Sequence, residues 1–309
     1  MYDTVNFWIE RAMVGGDPLT IAQYLDEAAE HSSDRGYTIT GKAGDYSVLL
    51  TDSGISLKGS LPKLLLPSNI HTLNRSGAKD AIIKLSDTLH LPIKGAKVNR
   101  VDVSNVLPVK RPVNDYYQYM GNKPHSQRLQ ATADTLYYNT KIKQLIFYNK
   151  LAEAKAKNMM VPAGFDGGNM LRYEVRFSQR LQTQFNRAEI TGAALYEEKF
   201  YTDIVQRWGK EYFSIDKLKS ISFMNTANIK TPKDGVNALF SFLLQDREPG
   251  FINAFIADLR AKKTFDDPKY YSRLKDELNK LTKVTTLAEQ NELIRELDQS
   301  IREVILNCR

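Results

Sequence analysis

Two segments that each divide an apolar face from a charged one constrain this chain most. Val98-Asn99-Arg100-Val101-Asp102-Val103-Ser104 puts Arg100, Asp102 and Ser104 on one side of an extended strand and Val101 and Val103 on the other. Leu171-Arg172-Tyr173-Glu174-Val175-Arg176-Phe177 repeats the design, with Arg172, Glu174 and Arg176 opposed to Leu171, Tyr173, Val175 and Phe177. Successive side chains of a strand point to opposite faces, so these segments suit a sheet with helices on its apolar face and an open polar face. The expected fold class is therefore α+β, an antiparallel sheet with helices on one face.

The rest of the first two thirds fits that scheme. Val5, Phe7 and Ile9 alternate with polar residues as in a half-buried strand. Residues 46–51 and 55–58 flank Asp52-Ser53-Gly54, a hairpin signal. Ile82, Leu85 and Leu89 recur at helical spacing and predict a helix over 78–90. A strand is predicted over 97–106, a short helix after Pro112, and a second hairpin from 135–139 and 144–148 around a lysine-rich turn. A helix over 149–158, a loop over 162–169, a strand over 170–178 and a helical stretch over 186–213 complete this part. Beyond about residue 214 the pattern becomes purely helical. Thr231-Pro232 reads as a helix start and Thr286 with Glu289 as a capping box. The stripe Leu287, Ile294, Leu297, Ile301 and Val304 reads as packing within the same domain. A chain of 309 residues accommodates one large and one small domain, divided here as 1–214 and 215–309.

Composition narrows the function classes. With 42% hydrophobic and 26% charged residues the chain belongs with globular proteins rather than disordered or fibrous ones. No apolar stretch approaches the roughly 18 residues of a membrane span. The first residues do not read as a signal peptide, and the single cysteine, Cys308, excludes an internal disulfide and a cysteine metal site. No Gly-x-x-x-x-Gly-Lys-Ser/Thr loop occurs, which disfavours an ATPase or helicase. The formal net charge of +7 is unevenly spread, since residues 141–187 hold nine basic side chains against three acidic ones. Such a cluster suits a polyanionic partner or a solvated lysine-rich surface.

The two carboxylates among arginines, Asp102 and Glu174, could hold a divalent cation beside a phosphate, or could pair with arginines across a solvated sheet. Tyr148 ends the strand Leu145-Ile146-Phe147-Tyr148 and precedes a helix with Lys150 and Glu153. Free tyrosine ionises near pH 10, so a nucleophilic Tyr148 needs a metal, a cation such as Lys150, or a base. The residues alone leave both a catalytic and a packing role open.

Four segments in order carry a resemblance: Asn99-Arg100-Val101-Asp102-Val103, then Asp134-Thr135-Leu136-Tyr137-Tyr138-Asn139, then Phe147-Tyr148-Asn149-Lys150 with Glu153, then Leu171-Arg172-Tyr173-Glu174-Val175-Arg176. Together they resemble the gene II/gene X replication proteins of filamentous phages and the plasmid initiators related to them. The likeness implies an RRM-like, HUH-related sheet and a rolling-circle initiator, an endonuclease and strand transferase acting on single-stranded DNA. By this likeness Tyr148 is the nucleophile and Lys150 its basic neighbour, with Asp102, Glu174 and Glu153 as metal ligands. No His-x-His motif occurs, and His31, His71, His90 and His125 are scattered, so carboxylates would favour Mg²⁺ or Mn²⁺ over zinc, with His125 a further candidate. Arg100, Arg172 and Arg176 are the expected DNA contacts at the scissile phosphate, and Lys141 and Lys143, in the hairpin turn, those away from it. Tyr116, Tyr117, Tyr137 and Tyr138 are candidates for base stacking, though packing suits each at least as well. The implied partners are a single-stranded replication origin and a host helicase and polymerase in the cytoplasm of a bacterial host, without a membrane. The alternatives are a water-using metal-dependent nuclease and a non-catalytic DNA-binding replication regulator.

Overall fold

A computed structural model of the chain describes residues 1–34, 36–162, 168–221, 229–245, 250–281 and 288–308. Ten strands form one sheet: β1 (Tyr2–Glu10), β2 (Asp26–Ser33), β3 (Gly36–Ala43), β4 (Tyr46–Thr51), β5 (Gly54–Ser60), β6 (Lys97–Val109), β7 (Gln127–Thr132), β8 (Thr135–Asn139), β9 (Lys143–Asn149) and β10 (Asn169–Phe177). Their order is β2-β3-β4-β5-β1-β6-β10-β9-β8-β7, every neighbouring pair antiparallel. The two strands singled out for their divided faces, β6 and β10, are neighbours near its middle. Both predicted hairpins form. Gly54 closes the first at φ +154°, where an added Cβ would sit 2.3 Å from the Ile9 carbonyl oxygen, so the tight turn against β1 needs glycine.

The apolar faces of β6, β9 and β10 meet helices. The helix Arg75–Leu89 (α1) contributes Ala78, Ala81, Ile82, Leu85 and Leu89, and the helix Glu198–Phe213 (α2) contributes Phe200, Ile204, Val205, Trp208 and Tyr212, all buried in one continuous core. Over the sheet Phe147 stacks on Tyr173 at 4.5 Å between ring centroids, and Tyr173 donates its hydroxyl to the Trp208 carbonyl. The helical stretch expected over 186–213 is not continuous. It breaks into a 3-10 turn at Ala193–Tyr196 followed by α2, with Gly192 packed 2.3 Å (as an added Cβ) from the Ile93 carbonyl.

The chain divides into two compact units, Met1–Asp216 with Leu293–Arg309, and Lys217–Glu292. The sequence suggests a separate domain over 215–309, but nearly all of the last helix, Glu292–Asn307 (α3), belongs to the larger unit. Its stripe residues Ile294, Leu297 and Ile301 are buried in the main core. Buried polar contacts fix it: Tyr212 donates to Asp298 at 2.7 Å and Tyr116 to Glu296 at 2.7 Å. The smaller unit holds the helices Pro232–Gln245, Phe251–Ala261 and Lys269–Leu281, and also a two-stranded ribbon of Lys219–Ile221 with Ala288–Gln290, where helices alone are expected from the sequence. Glu289 therefore lies in a strand and not in a capping box; Thr286 and Leu287 lie outside the described residues. Thr231 does cap its helix, accepting from the Asp234 amide at 3.2 Å.

Candidate active site

Strand register assembles the site. Arg176 lies opposite Asp102 on β6 and Gln144 on β9; Glu174 opposes Ser104 and Ile146; Arg172 opposes Val106 and Tyr148. One polar face thus runs from Arg100 and Asp102 across Glu174 and Arg176 to Tyr148. At its outer side a cleft of about 350 Å³ is lined by Tyr148, Tyr137, Glu153 and Arg176. Asn149 caps the helix Lys150–Ala156 through the amides of Leu151 and Ala152, which sets Lys150 and Glu153 directly behind the tyrosine.

This face is not open in its centre, contrary to expectation. Arg172 and Lys150 are both fully buried. Arg172 donates to Asp3 and to the Ser104 hydroxyl, each at 2.6 Å, and to the Asn69 carbonyl. Asp3 also accepts from Ser60 at 2.9 Å and from the Asn69 amide at 3.2 Å. Lys150 donates to Asn69 Oδ1 at 2.8 Å and to Glu153 at 2.6 Å, with its ammonium 6.0 Å from the Tyr148 ring centroid. Asn69 therefore touches Asp3, Arg172 and Lys150 at once. Neither Asp3 nor Asn69 stands out in the sequence. They lie 169 and 103 positions from Arg172, and only the tertiary fold joins them.

On the other side Arg100 grips Asp102 with two hydrogen bonds, 2.8 and 2.6 Å, and Arg176 bonds Glu174 at 2.6 Å while lying 3.7 Å from Asp102. Burial pushes the Asp102 carboxyl up to about 7, with the neighbouring Glu174 acting in the same direction and Arg100 and Arg176 against it. The folded state then holds a proton that the unfolded chain releases near pH 4, so this group's contribution to stability falls as pH rises from about 4 to about 7. In urea titrations at about pH 5 and about pH 8, Asp102→Asn is expected to lack that component of the decline; an unaltered pH dependence would contradict the assignment.

Tyr148 is half-buried, and its hydroxyl lies well above its ordinary ionisation range. Burial is the main cause; Glu174, Glu153 and Asp3 push the same way and Arg172 opposes them. The phenol is thus protonated at rest, among groups able to take its proton or offset its charge. Glu153, by contrast, is held below the usual carboxylate range: burial resists ionisation, but hydrogen bonds from Lys150 and Lys157 outweigh it.

Of the expected ligand set, Asp102 and Glu174 come together and Glu153 does not join them, being closed by Lys150 and Lys157 at 2.6 Å each. Among the described residues no group of three His, Cys, Asp or Glu side chains could hold a metal ion, and His125 sits in an exposed turn. The remaining pair still fits Mg²⁺ or Mn²⁺ chemistry, because such ions are commonly held by one or two carboxylates together with water and substrate phosphate. The buried Asp102, whose affinity for a proton burial and the neighbouring Glu174 raise, belongs to a donor pair that a cation would relieve.

The expected DNA contacts are likewise redistributed. Arg172 has no exposed surface, and its guanidinium serves Asp3. Lys143 lies opposite Phe177 on the helix-covered face and is paired with Glu211 of α2, away from Tyr148. Arg100 and Arg176 keep exposed edges, at 23% and 35% of the side chain. Six of the nine cations in 141–187 are engaged in ion pairs, leaving Lys141, Lys155 and Arg180 exposed without one among the described residues. Tyr116, Tyr117 and Tyr138 are core residues, so only Tyr137 of the four stacking candidates lines the cleft.

An antiparallel sheet with a tyrosine, buried carboxylates and arginines on one polar face has the groups of a DNA-handling protein. The family described as the N-terminal part of the gene II replication-associated protein matches residues 1–210, and the chain belongs to it. It is a replication initiator of the filamentous-phage gene II type. No curated protein matches the chain. Among the described residues no helix is long and apolar enough to cross a membrane.

Proposed function

We propose that the chain starts rolling-circle replication by nicking single-stranded DNA at an origin, with Tyr148 as the attacking group. The observation that carries this reading is the position of Tyr148 in a cleft with Glu153 and Arg176, one strand away from the buried Glu174 and two from the buried Asp102. Arg176 and the exposed edge of Arg100 orient the scissile phosphate. The phenolic oxygen attacks phosphorus in line as the bond to the 3′ oxygen breaks. The phenolic proton passes to a neighbouring carboxylate or to water, and the departing 3′ oxygen takes up a proton. The products are a 5′-phosphotyrosyl link and a free 3′-OH, the end a host polymerase would extend beside a host helicase. The link conserves the phosphodiester, so the reverse reaction can rejoin strands without ATP. Held by Asp102 and Glu174, Mg²⁺ or Mn²⁺ would polarise the phosphoryl oxygen and neutralise charge that develops there.

Lys150 acts indirectly: its ammonium, fixed by Asn69 and Glu153, lowers the cost of negative charge on the nearby phenol. Chelation of divalent ions is expected to stop nicking, Mg²⁺ or Mn²⁺ to restore it, and Asp102→Ala and Glu174→Ala each to reduce it by roughly 10²-fold or more. Nicking by the Asp102 variant at normal rate in low Mg²⁺ would remove that residue from the metal site. Transfer of a label placed 3′ of the nick onto the protein tests the tyrosine chemistry itself, because a water-using nuclease leaves the label on free DNA and a regulator leaves the DNA intact.

A further inference from the structure

The cations of 141–187 are largely consumed by ion pairs, so the free positive surface must be sought elsewhere. In the smaller unit, the end of the helix Phe251–Ala261 and the start of the helix Lys269–Leu281 enclose a cleft of about 860 Å³ lined by Arg260, Lys263, Lys269, Phe265, Tyr271 and Asp266, among others. Its local acid–base pairs are Lys262 with Asp258 at 2.7 Å and Lys269 with Asp267. Arg260 and Lys263 on its wall, and Arg273 beside it, are exposed and have no ion pair among the described residues.

The aromatic groups there are fixed in position. Tyr271 is buried, and its hydroxyl accepts from the Phe265 amide at 2.9 Å, which locks the connection between the helices. The Arg260 guanidinium lies 5.6 Å from the Tyr271 ring centroid. Phe265 packs edge-on against Tyr270 at 6.0 Å. Tyr270 itself is 46% exposed, with Lys269 and Arg273 at 5.8 and 5.9 Å from its ring. An exposed ring held from one side and ringed by cations on mobile stems has the components of a single-strand binding site: a stacking platform for a base and cations for the flanking phosphates. Basic residues at a helix C-terminus also favour the helix dipole, which accounts for Arg260 and Lys262. It does not account for Arg273 in the first turns of the next helix, or for an exposed tyrosine between them.

We infer that this corner of the smaller unit is a second nucleic-acid site, which takes single-stranded DNA with a base on Tyr270 and phosphates on Arg260, Lys263 and Arg273. The site is independent of the chemistry at Tyr148. It would hold the strand during initiation by an interaction that neither reads sequence nor reacts.

The test uses the full chain and a bromouracil-substituted single-stranded oligonucleotide, crosslinked by light and mapped by peptide sequencing. A crosslink in the peptide bearing Tyr270 is expected. Tyr270→Ala should lose that crosslink and weaken binding by roughly tenfold, while Tyr270→Phe, which keeps the aromatic face, should retain both. The triple variant R260Q/K263Q/R273Q should flatten the dependence of log K on log salt by about 2, at about 0.7 for each phosphate no longer neutralised. The rate of nicking at saturating DNA should be unchanged in all of these variants. Melting curves that match the parent confirm that each variant is folded. Crosslinks confined to the larger unit, or a salt slope and affinity unchanged in the triple variant, would overturn the site. A greater loss for a duplex of the same sequence than for the single strand would overturn the single-stranded occupant.

Discussion

Tyr148→Phe is expected to bind single-stranded origin DNA as the parent does and to form no covalent adduct. The substitution keeps the half-buried ring, its approach to Lys150 and the strand register that pairs residue 148 with Arg172 and Thr135. Only the oxygen that would attack phosphorus is removed. Nicking should fall by about 10⁴-fold or more, the order of loss when a covalent nucleophile is deleted and its surroundings remain. A water-using nuclease would behave differently, retaining most of its activity with a phenyl ring at this position. Gel-based nicking and filter-binding assays on the same preparation separate the two effects.

The largest expected effect on stability belongs to Asp3. Arg172 is fully buried, and among the described residues Asp3 is its one carboxylate partner at hydrogen-bond distance, 2.6 Å. Truncation by Asp3→Ala leaves a buried guanidinium with the Ser104 hydroxyl, the Asn69 carbonyl and the more distant Glu174 carboxylate, 3.8 Å from its Nε. Removal of one member of such a pair costs about 3–5 kcal/mol, a large fraction of a typical domain's stability of about 5–15 kcal/mol. The urea midpoint should drop accordingly. The double variant Asp3→Ala/Arg172→Met should recover most of the loss, since apolar replacement of both partners is often nearly neutral. Burial resists ionisation of the Asp3 carboxyl, but Arg172 and the Asn69 and Ser60 hydrogen bonds hold it below its ordinary value. The folded state therefore binds this proton more weakly than the unfolded chain. Its contribution is present above about pH 4 and is lost as pH falls below that, a component the Asp3→Ala variant should lack. A loss of less than about 1 kcal/mol in the single variant would contradict the buried-pair account.

The period-two alternation in β6 and β10 is enough to read two strands with one polar face and to put Asp102, Glu174 and Arg176 on it, because strand geometry leaves little choice once one face is apolar. That the two strands are neighbours comes from the fold. The same parity shows the true side of Lys143. It shares its face with Leu145 and Phe147, the buried set, while Gln144, Ile146 and Tyr148 face the site. Its place near a hairpin turn suggests a free cation instead. The burial of Arg172 and Lys150 is not legible, because it depends on Asp3 and Asn69, which arrive from distant parts of the chain and have no local pattern. Nor is the return of the last helix to the main core. Its apolar stripe declares a buried face, but the residues it meets, Tyr116 and Tyr212 among them, are set by the fold.

The central claim, covalent chemistry at Tyr148, is tested most directly by isolating the protein after reaction with origin DNA labelled 3′ of the nick, digesting it and sequencing the labelled peptide. The account predicts a nucleotide on the Tyr148 side chain through a 5′ phosphate. A label on Tyr137 or any other residue, or nicked DNA that carries a free 5′ phosphate with no labelled peptide, would contradict it.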